Sequence, residues 1–184
     1  MFQQIISKVG RALDKARIKY MIIGGQAVLF YGVVRLTKDI DITLGVSIDR
    51  LPQLVKIIDS LNLKIIPRNY RVFVSRTMVL PVENPESKIR VDFVFSFTPY
   101  EQQAIKRAKK VKLGRAIVKI ASLEDIIIHK IFSGRAKDIE DVQSIIVKHP
   151  DFDTRYIRKW LKEFSEISET KQNFLRIFNT LIMK

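Results

Sequence analysis

Ile5, Val9 and Leu13 recur at a spacing of four, with Ile6 beside them, which predicts an amphipathic helix over residues 3–17. Residues 20–23 form a short β-prone run that stops at Gly24-Gly25; residues 26–31 favour helix, and Gly32 closes it. Ile40-Asp41-Ile42-Thr43 alternates cleanly and predicts a strand. Leu51, Leu54, Val55, Ile58 and Leu61 restore the helical period across residues 48–61. Four runs then read as strands, at residues 64–66, 71–75, 78–82 and 89–95, with Pro67 and Asn84-Pro85 at the turns. Residues 99–109 read as a very basic helix and residues 116–120 as the last strand. Beyond them the pattern is helical: Ser122-Leu123-Glu124-Asp125 has the form of a capping box, and helices follow over residues 136–148, 154–164 and 168–183. Trp160 falls in register with Ile157, Leu161 and Phe164 and reads as core. The expected fold is α+β: a mixed β-sheet flanked by helices over residues 1–121, with a C-terminal helical region, residues 122–184, packed on it.

Composition narrows the class. The hydrophobic fraction of 47% is enough for a proper core, and the absence of cysteine excludes disulfides and thiolate metal sites. The N-terminus lacks the apolar run and small-residue cleavage site of a signal peptide, and no aliphatic stretch approaches a membrane span. A soluble, cytoplasmic protein with no membrane partner is expected. The 33 Lys and Arg against 19 Asp and Glu leave a net charge of +14, which favours polyanionic partners or simply reflects a Lys- and Ile-rich composition.

Candidate chemistry concentrates in Lys38-Asp39-Ile40-Asp41-Ile42-Thr43. On a strand, positions i and i+2 share a face, so both carboxylates project together while Ile40 and Ile42 enter the core. Such a pair repels itself, and a hard divalent cation relieves it; Mg²⁺ takes one or two carboxylates and completes its octahedron with water and phosphate oxygens. A solvated sheet edge would show the same two residues. Fourteen residues before Asp39, Gly25 ends the strand–turn Ile22-Ile23-Gly24-Gly25 just ahead of a helix, where a phosphate can approach the backbone closely. A third carboxylate, Asp92, lies in the otherwise apolar run Val91-Asp92-Phe93-Val94, costly to bury without a charged partner, either the metal pair or a base such as Arg90.

Gly24-Gly25, thirteen residues, Asp39-Ile40-Asp41 and a later strand bearing Asp92 together resemble the polymerase-beta-type nucleotidyltransferase superfamily. The string from Gly24 to Asp41 is similar to the branch holding the AbiEii-like toxins and the lincosamide and aminoglycoside nucleotidyltransferases. Residues 122–130, with Gly134-Arg135-Ala136-Lys137-Asp138 and Asp141, look most like the AbiEii-like group, so the resemblance covers about residues 18–147. Many relatives carry Gly-Ser where this chain has Gly24-Gly25, so any phosphate contact there falls to backbone N–H groups.

The resemblance implies a nucleotidyltransferase core that moves a nucleoside monophosphate from an NTP to an acceptor hydroxyl. Asp39 and Asp41 would hold Mg²⁺ (one or two ions), and Asp92 would complete a second metal position or take the acceptor's proton. Two such ions about 3.5–4 Å apart stabilise the attacking and leaving oxygens. Arg35 and Lys130 are the candidate nucleotide-binding cations beside Gly24 and Gly25, with Thr37 and Asp138 in support; Lys130 and Asp138 also suit an internal ion pair. His129 and His149 are too scattered for a metal cluster. Residues 105–115 hold Lys106, Arg107, Lys109, Lys110, Lys112 and Arg115, six basic residues in eleven, which suit RNA, tRNA above all, and with Arg68, Arg71 and Arg76 would make a groove. The toxin relatives add an antitoxin protein to the candidate partners. The rival readings are transfer to a small molecule or protein, and an idle nucleotide- or RNA-binding module, which would have no need of three carboxylates.

Overall fold

Along residues 39–44 and 90–95 every second side chain is apolar, and Ile40, Ile42, Leu44, Val91, Phe93 and Phe95 are all buried. Two strands that share this pattern can bury one face and leave the other to chemistry. The structure, a computed structural model, describes residues 1–96, 98–168 and 173–183. It divides into two compact units, residues 1–27 with 36–121, and residues 28–35 with 122–184.

In chain order the first elements are α1 (Phe2–Lys15), β1 (Tyr20–Ile23), α2 (Gly24–Phe30), β2 (Asp39–Leu44), a 3₁₀ turn (Ile48–Arg50), α3 (Leu51–Ser60), β3 (Lys64–Ile65) and α4 (Tyr70–Thr77). They are followed by β4 (Val79–Glu83), β5 (Arg90–Phe95), α5 (Pro99–Arg107), β6 (Lys109–Leu113) and β7 (Ala116–Ile120). The expected mixed sheet is present in the first unit, with strand order β3-β4-β5-β2-β1-β7-β6. β2 lies at its centre, antiparallel to β1 and parallel to β5, while β1 runs parallel to β7. Helix α1 lays Ile5, Ile6, Val9 and Leu13 into the core and packs against β7. Gly10 permits that approach: a Cβ there would stand 2.6 Å from the Tyr20 hydroxyl and 3.0 Å from Val118 Cγ1. Burial pushes the Tyr20 phenol up to about 12, with Asp14 adding to it.

Two stretches differ from the sequence expectation. Residues 71–75 were expected as a strand but form helix α4, of which only Val74 is buried. Val72 and Phe73 stand exposed, so their β propensity finds no neighbouring strand to pack on, and propensity of this kind depends on that context. The helix expected over residues 99–109 ends at Arg107, where the chain turns into edge strand β6. Its lysines hide the strand period in sequence, yet charged residues are what an exposed sheet edge needs to resist pairing with another chain.

The second unit holds α6 (Leu123–Ser133), α7 (Ala136–Lys148), α8 (Thr154–Ile167) and α9 (Phe174–Ile182). Ile127, Ile131, Val142, Ile145, Ile157, Leu161 and Phe178 form its core, and Trp160 is buried with them as expected. The Ser122 hydroxyl caps α6 by accepting from the Asp125 N–H at 3.2 Å; the buried Asp125 carboxylate in turn accepts from Ser122 at 2.6 Å and from the Tyr156 hydroxyl at 2.8 Å. Residues 169–172 of the last expected helix lie outside the described residues. Among the described residues no helix is long and apolar enough to cross a membrane.

Candidate active site

The pleat of β2 turns Asp39 and Asp41 to the face opposite Ile40 and Ile42. On β5, Asp39 is the register partner of Arg90, and Asp41 is the register partner of Asp92. The three carboxylates therefore share one face of two adjacent strands, which lie about 4.8 Å apart in any sheet. Thr37, just ahead of β2, donates its hydroxyl to Asp39 Oδ1 at 3.0 Å, fixing that carboxylate from the loop side.

Gly24 closes the site on the β1 side, where Ile23 pairs with Asp41. Its φ is +66°, a conformation that favours glycine, and a Cβ at this position would land on the Asp41 carboxylate. The bare Cα and the carboxylate thus occupy space that any other residue would fill. Gly25 is buried immediately after it, at the start of α2.

Arg90 is the residue that the sequence argument underweighted. It stands on the carboxylate face two residues before Asp92, and its Nε donates to Asp92 Oδ1 at 2.7 Å. The hydrogen bond to Asp92 holds the guanidinium more firmly protonated than usual; partial burial opposes this, and the charges of Asp92, Asp39 and Asp41 reinforce it. The signal was present in the strand period itself, since Arg90 and Asp92 are i and i+2.

Among the described residues no group of three or more His, Cys, Asp or Glu side chains forms a ready metal cage. Mg²⁺ needs only one or two protein carboxylates when phosphate oxygens and water supply the rest. Asp39 and Asp41 provide hard oxygen donors on one face, and the Asp41 carboxylate lies directly against the bare Cα of Gly24. The donor set fits Mg²⁺.

The remaining candidates lie in the second unit. Lys130 is buried, and its Nζ stands 2.7 Å from Asp138 Oδ1 and 2.6 Å from Asp141 Oδ2. Arg35 pairs through NH1 with the same Asp141 oxygen. Asp138 also accepts from Ser133 at 2.9 Å and from Arg135 at 2.5 Å. Burial raises the Asp138 carboxyl, but these three donors outweigh it and hold it at about 2. Arg35 and Lys130 are thus joined through Asp141, which the sequence marked as part of the C-terminal signature but not as their shared partner. The segment before Arg35 is tied to the end of α7, where Lys148 donates to the Gly32 carbonyl at 2.6 Å and His149 to the Tyr31 carbonyl at 2.8 Å. Burial, and then Lys130, pull the neighbouring His129 imidazole down to about 4.

Several solved structures share this fold. The chain matches a nucleotidyltransferase-like protein from Paracoccidioides brasiliensis with a TM-score of 0.57 at 18% identity, over 95% of this chain and 92% of that one. It matches a putative nucleotidyltransferase from Helicobacter pylori with a TM-score of 0.51 at 14% identity, over 98% and 92%. The antibiotic-resistance factor ANT(2'')-Ia, solved in complex with adenylyl-2''-tobramycin, gives a TM-score of 0.52 at 18% identity, over 98% and 97%. No curated protein shows significant sequence similarity to the chain. The family model described as nucleotidyltransferase of unknown function (DUF6036) matches residues 2–180, nearly the whole sequence, and the chain belongs to that nucleotidyltransferase family.

Proposed function

We propose that this nucleotidyltransferase moves a nucleoside monophosphate from an NTP to a hydroxyl of RNA, tRNA being the leading acceptor, in the manner of the AbiEii-like toxins it resembles. The observation that carries the reading is the register of β2 on β5, which sets Asp39, Asp41 and Asp92 on one face beside the bare Cα of Gly24. A binding module has no use for three half-buried carboxylates turned to one face of two adjacent strands.

In this reading Asp39 and Asp41 hold Mg²⁺, and Thr37 keeps Asp39 turned to it. When bound, the ion offsets the triphosphate charge and stabilises the pyrophosphate that leaves. The backbone around Gly24 and Gly25 receives the phosphates. Asp92, aligned by Arg90, accepts the proton of the acceptor hydroxyl as its oxygen bonds to the α-phosphorus and the bond to the β-phosphate bridge breaks. Positioning and electrostatics supply most of the rate in such transfers. Nucleotide contacts by Arg35 and Lys130 belong to the same proposal. Their pairing with Asp138 and Asp141 means that their removal also strains the second unit.

The net charge of +14 and the exposed run Lys106, Lys109, Lys110 and Lys112, with Arg107 beside them, support a polyanionic acceptor. The fold shared with ANT(2'')-Ia, whose complex holds an adenylylated aminoglycoside, favours a small-molecule acceptor as the second reading. Cationic antibiotics would be repelled by this chain's charge. The test is label transfer from each α-³²P-NTP with Mg²⁺ into separated RNA, protein and small-molecule fractions, with Asp39→Ala/Asp41→Ala as the blank. Label in RNA with wild type alone is the expected result. Label in the small-molecule fraction moves the acceptor to the second reading, and label in protein admits an antitoxin or other protein substrate. No label and no NTP binding by calorimetry would overturn the assignment.

A further inference from the structure

The stretch from Lys64 to Val82 contains Lys64, Arg68, Arg71 and Arg76 and not one Asp or Glu. Helix α4 occupies its middle and stands off the sheet on a single buried side chain, Val74. Around it Val72 is 51% exposed, Ile66 48% and Phe73 38%. Among the described residues no carboxylate pairs with Arg68, Arg71 or Arg76, and Arg71 instead lies 6.0 Å from the centre of the Tyr70 ring.

Position ties this surface to the carboxylates. Lys64 pairs with Glu83, which pairs with Arg90, and Pro81 pairs with Asp92. Lys64 therefore shares the face of Asp92, two strands away, or roughly 10 Å at the usual strand spacing. Chemistry selects the occupant. Unpaired guanidinium groups suit phosphates, and exposed aromatic and aliphatic side chains suit the faces of unstacked bases. A duplex hides those faces and would leave Phe73 and Val72 without a role. A second copy of the chain would set arginines against arginines. The lysines of β6 add to the general attraction of polyanions, but that strand carries no aromatic residue to lie under a base.

We infer that β3 and α4 form the docking surface for a single-stranded RNA end, with Arg71 and Arg76 on its phosphates and Phe73 under a base. The inference rests on the reading that RNA is the acceptor, and it names where that acceptor is held.

The test is anisotropy of a fluorescein-labelled, mixed-sequence, single-stranded 12-mer RNA without NTP, at several salt concentrations. Arg71→Gln/Arg76→Gln should weaken binding at least tenfold and flatten the slope of log affinity against log salt by about 1.4, at ~0.7 per phosphate contact. Phe73→Ala should weaken it about fivefold at an unchanged slope. Asp39→Ala/Asp41→Ala should bind at least as well as wild type, which separates docking from transfer, and the matching duplex should compete poorly. Wild-type affinity in the α4 variants overturns the inference. So does loss of binding only in Lys110→Gln/Lys112→Gln, or a dimer in sedimentation that Phe73→Ala dissolves. RNA binding that depends on α4 without label transfer would sustain the docking surface while the proposed function fails. Label transfer to RNA that proceeds with wild-type RNA affinity in the α4 variants would do the reverse.

Discussion

At Gly24 two demands meet in one residue, a positive φ and a space already filled by the Asp41 carboxylate. Gly24→Ala is expected to cost about 1–2 kcal/mol in backbone strain. It should also displace Asp41, and misplacement by about 1 Å can lower a rate on the order of a hundredfold. Chemical denaturation and label transfer read the two effects separately; wild-type transfer in this variant would place the chemistry elsewhere. Arg90 acts as a tethered counter-ion of the carboxylates. Arg90→Gln removes a positive charge from beside the proposed metal ligands, so Mn²⁺ should bind roughly thirtyfold tighter, equivalent to ~2 kcal/mol for a unit charge against a divalent ion at ~4 Å in water. Mn²⁺ titration by electron paramagnetic resonance checks it, and weaker binding would contradict it. His129 carries a pH signature. Its folded value of about 4 lies below the ordinary 6.5, so between these values the unfolded chain binds the proton more readily. Stability from this group is full above pH 6.5 and declines as the pH falls toward 4. His129→Gln should flatten the melting temperature over that window, while Asp138, held at about 2, takes over only below its ordinary 3.8.

Between elements, α6 and α7 are tied by an ionic cluster, with Lys130 between Asp138 and Asp141, as well as by apolar packing. Lys130→Met would leave two buried carboxylates short of a partner and should cost about 3–5 kcal/mol, read by chemical denaturation. A change below about 1 kcal/mol would mean that the cluster relaxes without it. The elements that bury a clean apolar stripe were legible from sequence: β2 by alternation, β5 as an apolar run broken by Asp92, α1 and α3 by the helical period, and α6 by its Ser122 cap. Residues 71–75 misled because β-branched and aromatic residues there face solvent on a helix instead of packing in a sheet. Edge strand β6 was hidden because its exposed positions are lysines, which in a list of residues look the same as a basic helix. The site divides the same way. Asp39 and Asp41 announce themselves by spacing, whereas their meeting with Asp92 and Arg90 depends on the parallel register of strands nearly fifty residues apart, which no local pattern encodes.

For the whole molecule, the net charge and the carboxylate face pull in different directions: a strongly cationic chain gathers acidic side chains at the centre of its sheet. Net charge of this sign favours polyanions in general, and carboxylates on one face favour a cation there. Both the nucleotide and RNA should therefore bind more weakly as salt rises, with the larger effect on the longer polyanion. The most direct test of the account supplies the same NTP labelled at the α- or the γ-phosphorus, with RNA and Mg²⁺, and counts label in RNA against pyrophosphate released. Nucleotidyl transfer predicts α-label alone in RNA, one pyrophosphate per label, and neither product with Asp39→Ala/Asp41→Ala. Transfer of γ-label, or α-label transfer that survives loss of both aspartates, would contradict it.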